Sequence, residues 1–354
     1  MEMQNAIDFN NKSILVTGGT GSFGQQFVRT VLRRYRARRL VVFSRDELKQ
    51  YEMQASLERE FGSRELRFFI GDVRDANRLE MAMRGIDYVI HAAALKQVPA
   101  AEYNPIECIM TNVHGAENVV MAALRCRVKR VMALSTDKAA SPINLYGASK
   151  LASDKIFIAA NNLSGDIGTR FAVVRYGNVI GSRGSVVPLF QRLVREGAKE
   201  IPITDLRMTR FWITLQQGID FVLNCAEMMQ GGEIFIPKIP SMKMTELAEA
   251  LAPGLPHRII GIRPGEKLHE CMITVDDSRM TLEMPDRYVI QPSFSFWRGP
   301  NNSFSDITPV PEEFQYTSDT NKRWLDAAAL RKLLEADATA EANATDQRVP
   351  AAHP

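Results

Sequence analysis

No run of about 18 apolar residues occurs in the 354-residue chain, which excludes a single hydrophobic helix able to cross a bilayer. Cysteine is scarce. The four thiols, Cys108, Cys126, Cys225 and Cys271, lack the paired spacing of a metal site, and no signal peptide precedes them. Reduced thiols in a cytoplasmic protein are therefore expected. Histidine is also sparse, at five residues, and neither His91 nor His269 has ligand-like neighbours, so no metal is expected. Neither sign of charge dominates: 44 Lys and Arg against 41 Asp and Glu leave no footprint for nucleic acid or a membrane surface. The one basic cluster, Arg33 to Arg39, suggests the solvated end of a helix, with anion binding the lesser alternative. No internal repeat is visible. From 335 to 354 large apolar side chains become rare, the composition of a disordered tail.

What the chain does have begins at its amino-terminal end. Lys12 to Thr17 is a short apolar run of the kind buried in a parallel sheet. It leads into Gly18-Gly19-Thr20-Gly21-Ser22-Phe23-Gly24 and then a helical pattern through Phe27, Val28, Val31 and Leu32. Strand, glycine turn and helix form the context in which glycines let a backbone approach a pyrophosphate at a helix N-terminus. The spacing is Gly-x-x-Gly-x-x-Gly.

The next apolar run, Arg39 to Phe43, ends in Ser44-Arg45-Asp46-Glu47-Leu48-Lys49. Arg45 and Lys49, with the Ser44 hydroxyl, offer donors to a ribose 2′-phosphate and favour NADP. Asp46 keeps NAD open, because a carboxylate serves the 2′-hydroxyl instead. An ordinary helix N-cap at Ser44 or Asp46 is the plain alternative. A third run, Leu66 to Ile70, precedes Asp72 and Val73, where Asp72 could accept from the adenine amino group; Asp75 suggests a helix cap. A fourth, Tyr88 to His91, ends at Ala92, Ala93 and Ala94, small enough for a ligand to lie against the backbone or for close packing alone.

The chemistry centres on Ser135-Thr136-Asp137-Lys138, after the apolar run Val131 to Leu134, with Tyr146 and Lys150 on one helix. Tyr-x-x-x-Lys puts a phenol and an ammonium one helical turn apart on the same face. The ammonium stabilises a phenolate, so Tyr146 can take a hydroxyl proton while a cofactor takes a hydride. A bare pair of this kind is also the pattern of a solvated helix face; it becomes catalytic in a chain that binds a dinucleotide. Alcohol oxidation needs only that pair. Asp137 and Lys138 add a second acid and a second base, and imply a second chemical step. Lys138 acts as a base only when neutral, which burial or a neighbouring cation such as Lys150 would favour.

TGGTGSFG, GDVRD, HAAALKQVP, STDK and YGASK, in this order, resemble the extended short-chain dehydrogenases/reductases that act on nucleotide sugars. Within them, the chain is most similar to the inverting UDP-N-acetylglucosamine 4,6-dehydratases that open pseudaminic acid synthesis. The likeness continues through Arg175 to Pro188, Pro202 to Thr214 and Gly261 to Glu270, covering about residues 10 to 330. Retaining hexose dehydratases typically have Thr-Asp-Glu where this chain has Thr136-Asp137-Lys138, and several relatives with Asp-Lys carry Met at the place of Tyr146. Having both points to the soluble inverting group. One departure is Gln97, where the group commonly has His.

The resemblance implies bound NADP and a UDP-sugar substrate. Tyr146 would be the base at the 4-hydroxyl, with Lys150 holding the phenolate and both facing the nicotinamide end of the cofactor. Thr136 would bond the C4 oxygen, Lys138 would act as base at C5 and Asp137 as acid at the 6-hydroxyl. Lys96, Asn178, Thr204 and Arg263 match positions that contact the nucleotide sugar; Val186 lies beside them, and Arg183 is a further cation. It also implies a homo-oligomer, with subunit contacts on the helical face from Asn104 to Cys126 and Asn144 to about Asn161. A 4-epimerase, a retaining dehydratase and a non-catalytic NADP sensor are the alternatives.

Strands and helices alternate from Lys12 to Tyr176, the pattern of an α/β doubly wound parallel sheet, with a smaller α/β substrate domain. The boundaries expected are 1–177 plus 212–237 for the nucleotide-binding domain and 178–211 plus 238–330 for the substrate domain.

Overall fold

The computed structural model describes residues 8–62, 64–182, 184–292 and 307–334. The sequence-predicted tail at 335–354 and Arg183 lie outside them.

Six apolar runs form the parallel strands β1 (Ser13–Thr17), β2 (Arg39–Ser44), β3 (Leu66–Ile70), β4 (Tyr88–His91), β5 (Arg130–Thr136) and β6 (Arg170–Tyr176). β1 is buried at every residue, as a strand covered on both faces must be, and this is why it shows no polar alternation. Between the strands run α1 (Ser22–Arg34), α2 (Glu47–Phe61), α3 (Ala76–Met83), α4 (Val98–Tyr103), α5 (Pro105–Ile109), α6 (Gly115–Arg125) and α7 (Leu145–Ser164). Side-chain caps start several of them. Asp46 accepts from Lys49 N, Asp75 from Arg78 N and Asn144 from Gly147 N. The helix Leu215–Met228 opens with a reciprocal Thr214–Gln217 capping box.

The sheet order is β6-β5-β4-β1-β2-β3, with strand Ile234–Pro237 parallel beside β6. The chain therefore reverses direction between β1 and β4, and doubly wound sheets bind ligands in the crevice at that point. β5 and β6 are in register from Arg130 and Arg170 to Thr136 and Tyr176, so the last two stand side by side at the strand ends. Helices α3, α6 and α7 pack in one group, and α1, α2 and Leu215–Met228 in another. At the end of α1 the basic cluster is partly paired: Arg33 meets Glu60, as does Arg29 one turn earlier, Arg34 meets Asp220 and Arg38 meets Asp87.

A second, smaller core gathers Ile180, Val187, Phe190, Ile201, Trp212, Met242 and Leu247. Its short strands pair across long stretches of chain: Ser241–Lys243 with Thr209–Ile213, and His257–Ile259 with Ile201–Ile203. Three segments that the sequence places in the substrate domain, 281–283, 287–290 and 308–309, form strands that extend the main sheet. Arg287–Ile290 pairs antiparallel with Ile234–Pro237, followed by Thr281–Glu283 and Thr308–Pro309. Among the described residues no helix is long and apolar enough to cross a membrane.

Candidate active site

A cavity of about 670 Å³ lies at the carboxyl ends of the parallel strands and runs from the glycine turn to the end of β6. Its cofactor end is built by close backbone contact. Gly18 has φ +65°, and a Cβ there would sit 2.8 Å from Ala93 N. A Cβ on Gly24 would meet Gly19 Cα at 2.5 Å, so only glycine lets α1 press onto the turn. Gly21 caps α1 without any side-chain bond, leaving the helix N-terminus open toward the cavity. An N-terminus without a side-chain cap bond fits a dinucleotide pyrophosphate.

Thr20, Ser22, Phe23, Val73, Ala92, Ala93 and Ala94 line the same end, as the sequence leads one to expect. So do Ser44, Arg45, Asp46, Lys49 and Asp72, and the structure distributes their duties. Asp46 is the N-cap of α2 and pairs with Lys49 Nζ. Asp72 accepts from Arg74 and, at 3.4 Å, from Arg45. Both carboxylates are thus engaged by neighbours. Arg45 stays half exposed at the cavity rim.

At the reacting end β5 terminates in Thr136, and a single turn of 3₁₀ helix at Asp137–Ala139 turns Lys138 into the cavity. Thr136 Oγ1 donates to Asp137 Oδ1 at 2.9 Å, and Lys138 Nζ donates to the same oxygen at 3.0 Å. Asn178 Oδ1 accepts from Lys138 at 3.3 Å. Asp137 is fully buried behind Thr136 and Lys138, and its Oδ2 has no hydrogen-bond partner. Tyr146 and Lys150 project from the first turns of α7 into the same space.

Burial pushes the Tyr146 phenol up to about 12, with the Lys138 charge and a Thr136 hydrogen bond working against it. The cation acting on the phenol is therefore Lys138. Burial lowers Lys150, and Asp154, one turn further along α7, partly offsets this. For Lys138 burial also acts against the charge, but Asp137 and Glu270 together outweigh it and hold the ammonium above the ordinary lysine range. The neutral lysine expected from burial is thus not the resting state.

Of the other sequence-predicted residues, Lys96 and Asn178 line the cavity. Val186, Thr204 and Arg263 do not. Val186 follows lining residue Ser185, whereas Arg263 is exposed and pairs with Glu266. The structure adds Gln97, Thr111, Ser135 and Tyr176 to the wall. Tyr176 was recoverable, since it ends a parallel strand in the RYGN segment. Thr111 was not. It sits in a π-helical turn, Met110–His114, between α5 and α6. There Asn112 donates to Leu95 O and Ser149 Oγ and accepts from Leu95 N, tying the loop after β4 to the helix that bears Lys150.

The comparisons with known proteins agree with this architecture. Residues 14–292 match the family described as polysaccharide biosynthesis protein. A UDP-N-acetylglucosamine 4,6-dehydratase (inverting) of Campylobacter jejuni is 58% identical over 333 residues, 92% of this chain and 97% of its own. A UDP-glucose 4-epimerase of Rickettsia akari is 44% identical over 276 residues, 76% of this chain and 80% of its own. Among solved structures, Pen from Bacillus thuringiensis superposes with a TM-score of 0.83 at 35% identity, covering 93% of this chain and all of that one. The dTDP-glucose 4,6-dehydratase DesIV from Streptomyces venezuelae, solved with NAD bound, gives 0.64 at 25% identity, covering 72% of this chain and 86% of its own. A parallel sheet with a glycine turn, a Tyr-x-x-x-Lys helix and 58% identity over 92% of the chain place the protein in the polysaccharide biosynthesis family of extended short-chain dehydrogenases/reductases, among the UDP-N-acetylglucosamine 4,6-dehydratases (inverting).

Proposed function

We propose that the protein removes water from UDP-N-acetylglucosamine with inversion at C5, giving UDP-2-acetamido-2,6-dideoxy-β-L-arabino-hexos-4-ulose, with NADP as its cofactor. The observation that supports this best is the gathering of Thr136, Lys138, Tyr146 and Lys150 on one cavity wall, with Asp137 bonded directly behind. A bound nicotinamide would supply the hydride acceptor at C4 and the hydride donor at C6. Tyr146 accepts the 4-hydroxyl proton as its phenolate, with Lys138 as the cation that favours that form against burial, and Thr136 holds the C4 oxygen. The 4-ketone acidifies the C5 proton.

A proton shift along the 3.0 Å contact from Lys138 Nζ to Asp137 Oδ1 turns the resting ion pair into an amine and a carboxylic acid. A dry site favours that neutral pair. Lys138 then takes the C5 proton while Asp137 protonates the departing 6-hydroxyl, and the ion pair is restored. C5 regains a proton on its other face, and the proton held by Tyr146 balances the one consumed there. One water leaves per turnover, and the cofactor ends as it began.

Arg45 at the rim supports NADP, because Asp46 and Asp72 already have partners. The resemblance assigns Lys96 and Asn178 to the nucleotide sugar, and their place on the wall supports it; Val186, Thr204 and Arg263 are assigned by resemblance alone. This reading has the protein work in the cytoplasm as a homo-oligomer that supplies pseudaminic acid synthesis. Exposed Tyr103, Ile106 and Leu163 on the α4, α5 and α7 surface suit the subunit contact, which light scattering tests.

A 4-epimerase is the second reading, favoured by the Rickettsia relative. It would use Tyr146, Lys150 and Thr136 but leave Asp137 and Lys138 without a task. Incubation with UDP-N-acetylglucosamine in D2O, followed by proton NMR, decides. A new 6-methyl signal, deuterium at C5 and L-sugar couplings are expected. D-sugar couplings overturn the inversion, and the 4-epimer alone overturns the dehydration. An unchanged sugar with NADP bound moves the reading to another sugar nucleotide or to a sensor.

A further inference from the structure

Behind Lys138 lies a charge cluster that the cavity wall does not contain. Glu270, just before strand Cys271–Ile273, is 2% exposed, with Oε1 3.6 Å from Lys138 Nζ and 3.7 Å from Arg210 Nε. Its Oε2 lies 4.0 Å from Lys267 Nζ and accepts no hydrogen bond. The carboxylate is held from its backbone. Glu270 N donates to Ser318 Oγ, and Ser318 N to Glu270 O. Arg210 is fixed by donating to the carbonyls of Thr209, Leu268 and Lys267, and Lys267 donates to Ala140 O beside the catalytic turn. His269, the adjacent residue, turns to Thr209.

A buried carboxylate with an unbonded oxygen is costly unless its charge serves a neighbour. Three cations surround it, and two of them, Arg210 and Lys267, are already satisfied by carbonyls. Lys138 is the one that faces the cavity. The charged or titratable groups facing Lys138 are Asp137, Glu270, Arg210 and Tyr146, with Asn178 as a neutral acceptor.

Resting on the dehydratase reading, we infer that Glu270 is a positioning residue that holds Lys138 Nζ beside Asp137 and strengthens it as the base at C5. A carboxylate within 4 Å raises the proton affinity of an amine, here against the opposing charge of Arg210. Once Lys138 has passed its proton to Asp137, the C5 position next to a ketone is still a weak acid, and an amine of higher proton affinity takes its proton more readily. Glu270 and Arg210 come from outside the nucleotide-binding strands, so their placement couples that part of the chain to the base.

The test uses the full chain with NADP and compares wild type, Glu270→Gln and Glu270→Asp. Dehydration and C5 deuterium uptake are followed against pH. In Glu270→Gln the acid limb of the profile moves down by on the order of one pH unit, C5 exchange slows at the optimum, and KM stays nearly unchanged. Glu270→Asp keeps the charge and returns the limb toward the wild-type position. A folded Glu270→Gln protein with an unmoved limb overturns the inference; if Gln does not fold, an Asp variant with an unmoved limb and faster exchange does so. Titration of labelled lysine by NMR reads the Lys138 ammonium directly. A lower midpoint in Glu270→Gln supports the inference even if wild type dehydrates nothing, which would overturn the reaction alone.

Discussion

Gly147 follows Tyr146 directly in the first turn of α7, and replacing it with Ala tests how tightly the catalytic helix rests on the catalytic turn. A Cβ there would overlap the Lys138 carbonyl oxygen and lie 3.1 Å from both the Lys138 carbonyl carbon and Pro142 Cβ. Two of these atoms are backbone, so no side-chain rotation relieves the contact. The 3₁₀ turn and α7 must separate by about an ångström in a close-packed interior. Alanine gains about 0.5–1 kcal/mol over glycine inside a helix, whereas overpacking costs about 1–3 kcal/mol. The net is a loss of about 1 kcal/mol.

The effect on turnover is larger. An ångström between Tyr146 and the Thr136–Lys138 turn misplaces the reacting groups, and a shift of that size costs on the order of 100-fold. Gly218→Ala is the control. It lies inside the helix Leu215–Met228 with nothing within 4 Å of its Cβ, so it gains stability and keeps full activity. Thermal melting and the D2O assay on both variants give the answer. Gly147→Ala with undiminished turnover, or with a gain in melting temperature equal to that of Gly218→Ala, refutes the close-contact reasoning.

Lys138→Ala keeps NADP but stops C5 deuterium uptake, and full dehydration by this variant rejects Lys138 as the base. Arg45→Ala weakens NADP by on the order of tenfold, after discounting for its exposure, and leaves NAD nearly unchanged; equal losses in calorimetry reject the 2′-phosphate role. His91 is held down to about 3, by burial first and by the Lys150 charge second. Its folded pKa lies below its ordinary 6.5, so its stability contribution is present above 6.5 and is lost as pH falls toward 3. The slope is about 1.4 kcal/mol per pH unit from this one group. Urea unfolding across that window is less pH-sensitive in His91→Gln, and identical slopes refute it.

The parallel sheet was legible because its strands are buried on both faces and stand out as unbroken apolar runs, as β1 and β5 do. The glycine turn was legible for the same local reason: its spacing and flanks lie within one strand, turn and helix. The strands at 281–290 and 308–309 were not, because their place depends on antiparallel pairing with Ile234–Pro237, which no local pattern encodes. The π turn at Met110–His114 sits within a stretch that looks like one helix. What opens it is the Asn112 side chain, bonded to Leu95 and Ser149, 17 and 37 residues away.

The site shows the same division more sharply. Residue types and their order single out Thr136, Lys138, Tyr146 and Lys150, because each stands at a strand end or on one helix face, and the structure brings them to one cavity. Their charge states follow from neighbours that sequence distance conceals. Burial alone argues for a neutral Lys138, and the physical principle is sound. It loses here because Asp137 supplies a carboxylate at 3.0 Å and Glu270 another at 3.6 Å, inside the same dry volume. A lysine caught between two buried carboxylates stays charged until one of them takes its proton. On the proposed mechanism Lys138 therefore becomes a base by passing a proton to Asp137, and the same transfer loads the acid that the departing hydroxyl requires.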